Sequence, residues 1–90
     1  MVNHVEIVLE TSLAQDTLRQ RLAELMATGP FSLRVLQAVG PGRWSATCIP
    51  RDPALVVRFG KVAELVCLMA REFEVHSVRR LPAPNLAATA

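Results

Sequence analysis

The sequence predicts an α+β fold, a two-layer sandwich in which helices cover one face of an antiparallel sheet. Segments of alternating hydrophobicity open and close the chain, a hairpin pattern lies in its middle, and two segments of helical periodicity separate these strands. The predicted order is strand, helix, strand, strand, helix, strand, which is the ferredoxin-like βαββαβ pattern. Right-handed crossovers then place the first and third strands at the sheet centre and both helices on one face.

The first third of the chain supplies two of these elements. A strand is predicted over 4–10, where Val5, Ile7 and Leu9 share one face. Thr11 or Ser12 offers an N-cap hydroxyl for a helix over 13–27. The core stripe of that helix has five members: Ala14, Leu18, Leu22, Leu25 and Met26.

A hairpin and a second helix–strand unit follow. Strands are predicted over 31–38 and 43–49 around the turn at 40–42, with Phe31, Leu33 and Val35 facing the core. A helix over 53–71 and a strand over 73–80 complete the order. The predicted core stripe of the second helix is Leu55, Phe59, Val62, Val66 and Met69.

The composition predicts one soluble domain with more apolar surface than a small core can hide. The chain has 90 residues, of which 51% are hydrophobic and 20% are charged, enough for one core and too few for two. We predict a single domain over 1–81 and a flexible tail over 82–90, because Pro82 and Pro84 end the last strand. The excess apolar surface favours contact with another subunit.

Composition also argues against two classes of partner. A net charge of +2 without a dense basic stripe does not favour nucleic-acid binding. The strand aromatics Phe31, Trp44 and Phe73 fall on the core-facing alternation, so none is free to stack on a base. The longest apolar stretch, 54–70, contains three charged positions at helical spacing, so we predict no membrane span.

The cysteines and the N-terminal residues predict a cytoplasmic location. Cys48 and Cys67 have neither CxxC spacing nor a neighbouring cysteine, which is typical of a reduced cytosolic chain. His4, Glu6 and Glu10 interrupt the segment where the apolar region of a signal peptide would lie.

Six apolar residues lie off the two predicted core stripes and are our candidate interface. Such residues either contact a partner subunit or widen the stripe of a crowded small core, and the sequence leaves both possibilities open. On the open sheet face and on the second helix, the candidates are Val8, Leu36, Ile49, Val57, Leu65 and Leu68.

The titratable residues do not indicate a catalytic, metal or cofactor site. No serine or cysteine has a histidine and an acid at a recognisable spacing, so we name no catalytic residue and favour a non-enzymatic protein. His4 and His76 lie on strands that would be neighbours and, with Glu6 or Glu74, resemble ligands for a divalent ion. Solvated side chains explain them more simply, and we predict neither metal nor cofactor.

The chain resembles the ACT domain, a small regulatory module that binds amino acids in metabolic enzymes. The resemblance covers roughly residues 3–81 and lies in the opening strand over 4–9, the helix end over 22–26 before a glycine, and the closing segment over 75–80. The size is similar to that of the short regulatory subunits of acetolactate synthase. The resemblance implies ligand contact at Glu10, Thr11 and Ser12 after the first strand, where the family often has a glycine and this chain has none.

Three hypotheses follow. The first is a non-enzymatic, ACT-like ligand-sensing or regulatory domain that works as a homodimer or as the small subunit of a metabolic enzyme, with an amino acid as possible ligand. The second is a chaperone or assembly factor that holds a client segment on its sheet face or edge strand, as do chaperones with this order of elements. The third is a small oligomeric enzyme on the same fold.

Overall fold

A computed structural model describes residues 2–52 and 59–82 of the chain. The elements are β1 (Val2–Glu10), α1 (Gln15–Leu25), β2 (Phe31–Gly40), β3 (Arg43–Pro50), α2 (Phe59–Ala70) and β4 (Glu74–Pro82). This order, together with one four-stranded antiparallel sheet, confirms the predicted ferredoxin-like α+β fold. Residues 53–58, where we predicted the start of the second helix, lie outside the described residues, as does 83–90 of the predicted tail.

The sheet has the strand order β2-β3-β1-β4, so β1 and β3 are central and β2 and β4 are the edges. All three pairings are antiparallel. In β1, Val5 lies opposite Cys48 of β3, and Ile7 lies opposite both Ala46 of β3 and Val78 of β4. Because directly opposed residues share a face, these pairs belong to the side that the helices cover.

The core lies between this sheet face and the two helices. Val5, Ile7 and Leu9 are fully buried, as the alternation of β1 predicted. Leu18, Leu22 and Met26 of the first helical segment and Val62 and Met69 of α2 meet them from above; the predicted stripes are confirmed at these positions. Leu25 and Val66 pack at the margin of this core, and Ala14 is exposed.

The first helix begins later than predicted. Its N-cap is Ala14, without a side-chain hydrogen bond, and the first helical residue is Gln15. Thr11 is held elsewhere, because its backbone N–H donates to the carbonyl of Gly42 in the hairpin turn, at 2.9 Å. Its hydroxyl oxygen accepts a hydrogen bond from the backbone N–H of Leu13 at 3.2 Å, so it closes a turn ahead of the helix.

The predicted face of the second half of β2 is wrong. The pairing of β2 with β3 shifts between Leu33 and Val35, so that Arg34 is an extra, bulged residue. An extra residue inverts the alternation that follows it. Leu36 is therefore 5% exposed and belongs to the core, whereas Val35, which we predicted in the core, is 43% exposed.

The buried face of α2 and the end of β4 also differ from the prediction. Leu65 of α2 is 5% exposed and lies in the core, so the buried stripe of this helix is wider than its periodicity indicated. β4 continues to Pro82, which pairs with Val2, although we expected proline to end the strand. A proline is tolerated here because β4 is an edge strand, whose outer backbone groups need no ladder partner.

Arg51 fixes the loop between α1 and β2. Its Nη2 donates to the carbonyl of Met26 at 2.6 Å and its Nε to the carbonyl of Gly29 at 3.0 Å, and its backbone N–H donates to the carbonyl of Pro30 at 2.8 Å. A cation at the C-terminal end of a helix also interacts favourably with the helix dipole. The loop is thereby held against the end of β3.

Candidate functional site

The β1–α1 junction, where the family resemblance implies ligand contact, has most of its polar groups engaged within the chain. Glu10 pairs with Arg43 at 3.4 Å and with His76 at 3.2 Å. Hydrogen bonds from Arg43 and then His76 hold the pKa of the Glu10 carboxyl below its usual range. Both polar groups of Thr11 serve the turn described above, and Ser12 is exposed. Ligand contact at this junction stays a prediction.

The six candidate interface residues fall into three groups. Leu36 and Leu65 are buried in the core of this chain, so almost none of their side-chain surface is available to a partner. Val8, Ile49 and Leu68 are half-buried and retain some exposed surface. Val57 lies outside the described residues.

The histidines that we considered as a pair do not meet. His4 lies opposite Leu81, near the start of β1, whereas Glu10 and Glu74 are opposed at its other end. Glu10 lies six positions after His4 along β1, a distance of roughly 20 Å at about 3.4 Å per residue. His4 is 6% exposed, and neither of its ring nitrogens has a hydrogen-bond partner among the described residues.

His76 instead joins Glu10 and Glu74. The ligand-type atoms of these three side chains lie within 4.8 Å of one another, on the open side of the sheet. The pairing of β4 with β1 shifts between Val8 and Leu9, so His76 is the extra residue of a bulge and reaches Glu10. The arrangement offers two carboxylates and an imidazole, but Arg43 already neutralises Glu10, which disfavours a second cation there.

The middle of the open sheet face carries a second polar network around Glu6. Ser45, which is 6% exposed, donates its hydroxyl to Glu6 Oε2 at 2.9 Å, and Arg79 donates Nη2 to Glu6 Oε1 at 2.7 Å. Glu6 thus links both central strands to β4. These hydrogen bonds give Glu6 a structural role on this face of the sheet.

Exposed large apolar side chains occur only on the edge strands among the described residues. Val35 and Val39 of β2 are 43% and 53% exposed, and Val78 of β4 is 37% exposed. Among the described residues, no strand lies beyond β2 or β4, so both edge strands present a row of backbone N–H and C=O groups on their outer side. β2 is therefore the more apolar of the two edges.

A cavity of about 240 Å³ opens between the end of α1, the start of β2 and the part of α2 from Lys61 to Leu68. Its walls include Met26, Phe31, Leu65 and Leu68, and the charged residues Lys61 and Glu64 also line it. It lies at the opposite end of α1 from the β1–α1 junction. Within the described residues, neither helix is long and apolar enough to cross a membrane.

Sequence reasoning missed the cavity and the exposed valines. The sequence pattern places the charged residues Lys61 and Glu64 on a solvent-exposed helix face and predicts Met26 and Phe31 only as core residues. No periodicity signals this cavity, because it arises where the end of α1, the start of β2 and one side of α2 leave a gap. The exposure of Val35 depends on a bulge that local alternation does not show.

Comparison with known proteins establishes the fold and nothing finer. No family model matches the chain, and no curated protein matches it. The crystal structure of the TT0538 protein from Thermus thermophilus is similar over 89% of this chain, with a TM-score of 0.82 and 19% sequence identity. The matched region is only 19% of the length of the Thermus chain.

Proposed function

We propose that this chain is a non-enzymatic regulatory domain of the ACT-like kind, which works in the cytoplasm by pairing with a second chain. The second chain is either another copy or the subunit of a metabolic enzyme that the domain regulates. The observation that carries the proposal is the β2 edge, where two exposed valines accompany an open row of backbone groups. The two free cysteines, one buried and one exposed, support the cytoplasmic part.

The β2 edge is suited to strand addition. Between its two irregular positions, β2 keeps regular pairing with β3 from Val35 to Ala38. The outer backbone groups of this run can form a new antiparallel ladder, and Val35 adds apolar contact on the open face. A two-fold axis through Leu36 would set Val35 of one copy beside Gln37 of the other on the same face.

The internal polar networks argue against catalysis by the described residues. Glu6 and Glu10 are each held by an arginine, and the buried thiol of Cys48 has its pKa raised to about 12 by burial. A general base or a nucleophile needs an ionisable group within reach of a substrate in a cleft, and none of these three residues lines the cavity. The arrangement around these three residues therefore supports a domain that binds rather than one that transforms a substrate.

Light scattering on the purified chain tests the pairing. We expect a dimer at micromolar concentration, and we expect Val35→Lys to convert it to a monomer, because a lysine on an edge blocks strand addition. Ser77→Lys is the matched control, since it places a lysine at an exposed position of the other edge strand on the same open face and should leave the dimer intact. A clean monomer for the unaltered chain, or equal loss in both variants, would rule out self-pairing at β2.

The same edge serves the second hypothesis, in which β2 holds a segment of a client protein. A client would occupy the ladder that a second copy otherwise fills, so the two differ in stoichiometry. A thermal-shift screen against amino acids separates them further: stabilisation by an amino acid supports ligand sensing. No stabilisation, with a monomeric chain that binds one defined protein and loses it on Val35→Lys, supports the chaperone instead.

A further inference from the structure

Two carboxylates face each other across neighbouring strands on the open side of the sheet. Glu10 of β1 lies directly opposite Glu74 of β4. Like charges at directly opposed positions destabilise a sheet, so such a pair favours a cation that compensates it. Arg43 supplies one positive charge at Glu10, whereas Glu74 makes no ion pair or side-chain hydrogen bond with another described residue. Two negative charges are therefore balanced by only one arginine.

His76 brings a nitrogen ligand to this pair. As the extra residue of a bulge in β4, it places its Nε2 3.2 Å from Glu10 Oε1. Two ligand atoms bound to a tetrahedral zinc ion, each at about 2.0–2.1 Å from the metal, are about 3.3–3.4 Å apart. The spacing of Glu10 and His76 is thus already close to that of two zinc ligands.

Glu74 completes a set of three ligands. Its carboxylate lies within 4.8 Å of the ligand atoms of the other two residues, and its side chain is exposed, so rotation about its own bonds closes the remaining distance. The side chains of Glu10 and His76 are 41% and 29% exposed, so an ion can reach them from solvent. No rearrangement of the strands is needed to form the site.

The ligand types select the ion. An imidazole nitrogen suits zinc and other transition ions, whereas Mg²⁺ and Ca²⁺ prefer sites made of oxygen atoms alone. Histidine and glutamate are both ordinary zinc ligands, and zinc sites with three protein ligands keep a fourth position for water or for an atom of another molecule. One imidazole and two carboxylates therefore favour Zn²⁺ over the commoner hard cations.

Arg43 weakens this site without closing it. Its Nε contacts Glu10 Oε1 at 3.4 Å, and the two side chains are 52% and 41% exposed. An exposed ion pair of this kind contributes little, and water screens it. An ion that bonds to both carboxylates and to the imidazole gains more than the loss of that one contact costs.

We propose that Glu10, Glu74 and His76 bind Zn²⁺, with water or a donor atom of a further molecule in the fourth position. The ion balances the opposed carboxylates and joins the central strand β1 to the edge strand β4. The β2 edge lies on the other side of β3, so the site does not depend on the proposed dimer.

Calorimetric titration of the untagged chain with Zn²⁺ measures the affinity, and amide resonances of the isotope-labelled chain report the place. Both measurements use Cys67→Ser, because the exposed thiol of Cys67 is itself a possible zinc ligand. We expect one ion per chain and shifted resonances around Glu10, Glu74 and His76. Mg²⁺ should bind far more weakly.

Two variants give opposite expectations. His76→Gln should weaken Zn²⁺ binding about tenfold or more, since it removes the nitrogen ligand. Arg43→Gln should tighten binding by up to about fivefold, since it removes the competing cation. Glu64→Gln is the matched control, because it removes an exposed carboxylate of α2 outside the cluster and should leave the affinity unchanged. A cooperative thermal unfolding transition verifies that each variant is folded.

Three outcomes would overturn the proposal. An unchanged affinity in His76→Gln would show that the imidazole is not a ligand. Equal binding of Mg²⁺ and Zn²⁺ would show a site for any divalent cation. Weaker binding in Arg43→Gln would show that Arg43 supports the site and does not compete for it. The titration is repeated in the Val35→Lys background, where we expect the same affinity whether or not the unaltered chain dimerises; loss of binding there would place the ion between two copies.

Discussion

A buried imidazole without a hydrogen-bond partner destabilises a fold most when it becomes charged. His4 is 6% exposed, and within the part of the chain that the structure describes both ring nitrogens lack a hydrogen-bond partner. Burial, followed by the nearby Arg34, lowers its pKa. Near and below the ordinary histidine pKa of 6.5, His4 therefore carries a proton in a larger fraction of unfolded chains than of folded chains. The free energy of unfolding should fall as the pH decreases through that value.

The substitution His4→Phe tests this expectation in urea titrations between pH 7 and pH 5, a range given by the ordinary histidine pKa. A planar apolar ring removes both the titration and the unpartnered nitrogens, so the variant should gain on the order of 1 kcal/mol at pH 7 and lose less stability at pH 5. His76→Gln is the control for the other histidine. An unchanged pH dependence in His4→Phe would show that His4 is not the responsible group.

At the scale of the element, the bulge at Arg34 decides which residue of β2 belongs to the core. Leu36→Ala should lower the free energy of unfolding by about 2–4 kcal/mol, because it leaves a cavity beneath the sheet. Val35→Ala should cost less than about 0.5 kcal/mol, since Val35 is exposed in the monomer. Urea denaturation at a protein concentration below any dimerisation measures both, and the reverse ranking would place the bulge elsewhere.

A comparison of β1 with β2 shows what a sequence can and cannot predict. Alternation placed Val5, Ile7 and Leu9 correctly, because β1 keeps one register with β3 over the positions that carry them. It failed for Val35 and Leu36, because a bulge depends on the partner strand and leaves no local pattern. The helix start failed for a similar reason: the Thr11 backbone is held by Gly42, which is distant in sequence.

The candidate site was less predictable than the fold. His76 and Glu74 were named as possible partners, but Glu10 completes their cluster through cross-strand pairing at the end of β1. The cavity has no sequence signature, since its walls are ordinary core residues and its rim is an ordinary charged helix face. Periodicity predicts which side of an element is buried, and it does not predict where packed elements leave a gap.

At the scale of the whole molecule, Cys48 reports on the cooperativity of the core. It lies on the central strand β3, opposite Val5 on one side and Leu33 on the other, and burial raises the pKa of its thiol to about 12. The thiolate is the nucleophile that attacks a disulfide reagent, so the folded chain should react with one equivalent of such a reagent, at the exposed Cys67. The second equivalent should react only in denaturant.

In Cys67→Ser, the slow reaction of Cys48 then measures the opening of the core. A reagent reaches this sulfur only if the helices separate from the sheet, so the free energy of opening from the labelling rate should equal that of global unfolding from urea titration. An opening free energy well below the global value would mean that β3 is exposed by a local motion. The two-layer sandwich would then unfold in parts, with its helical layer separating before the sheet.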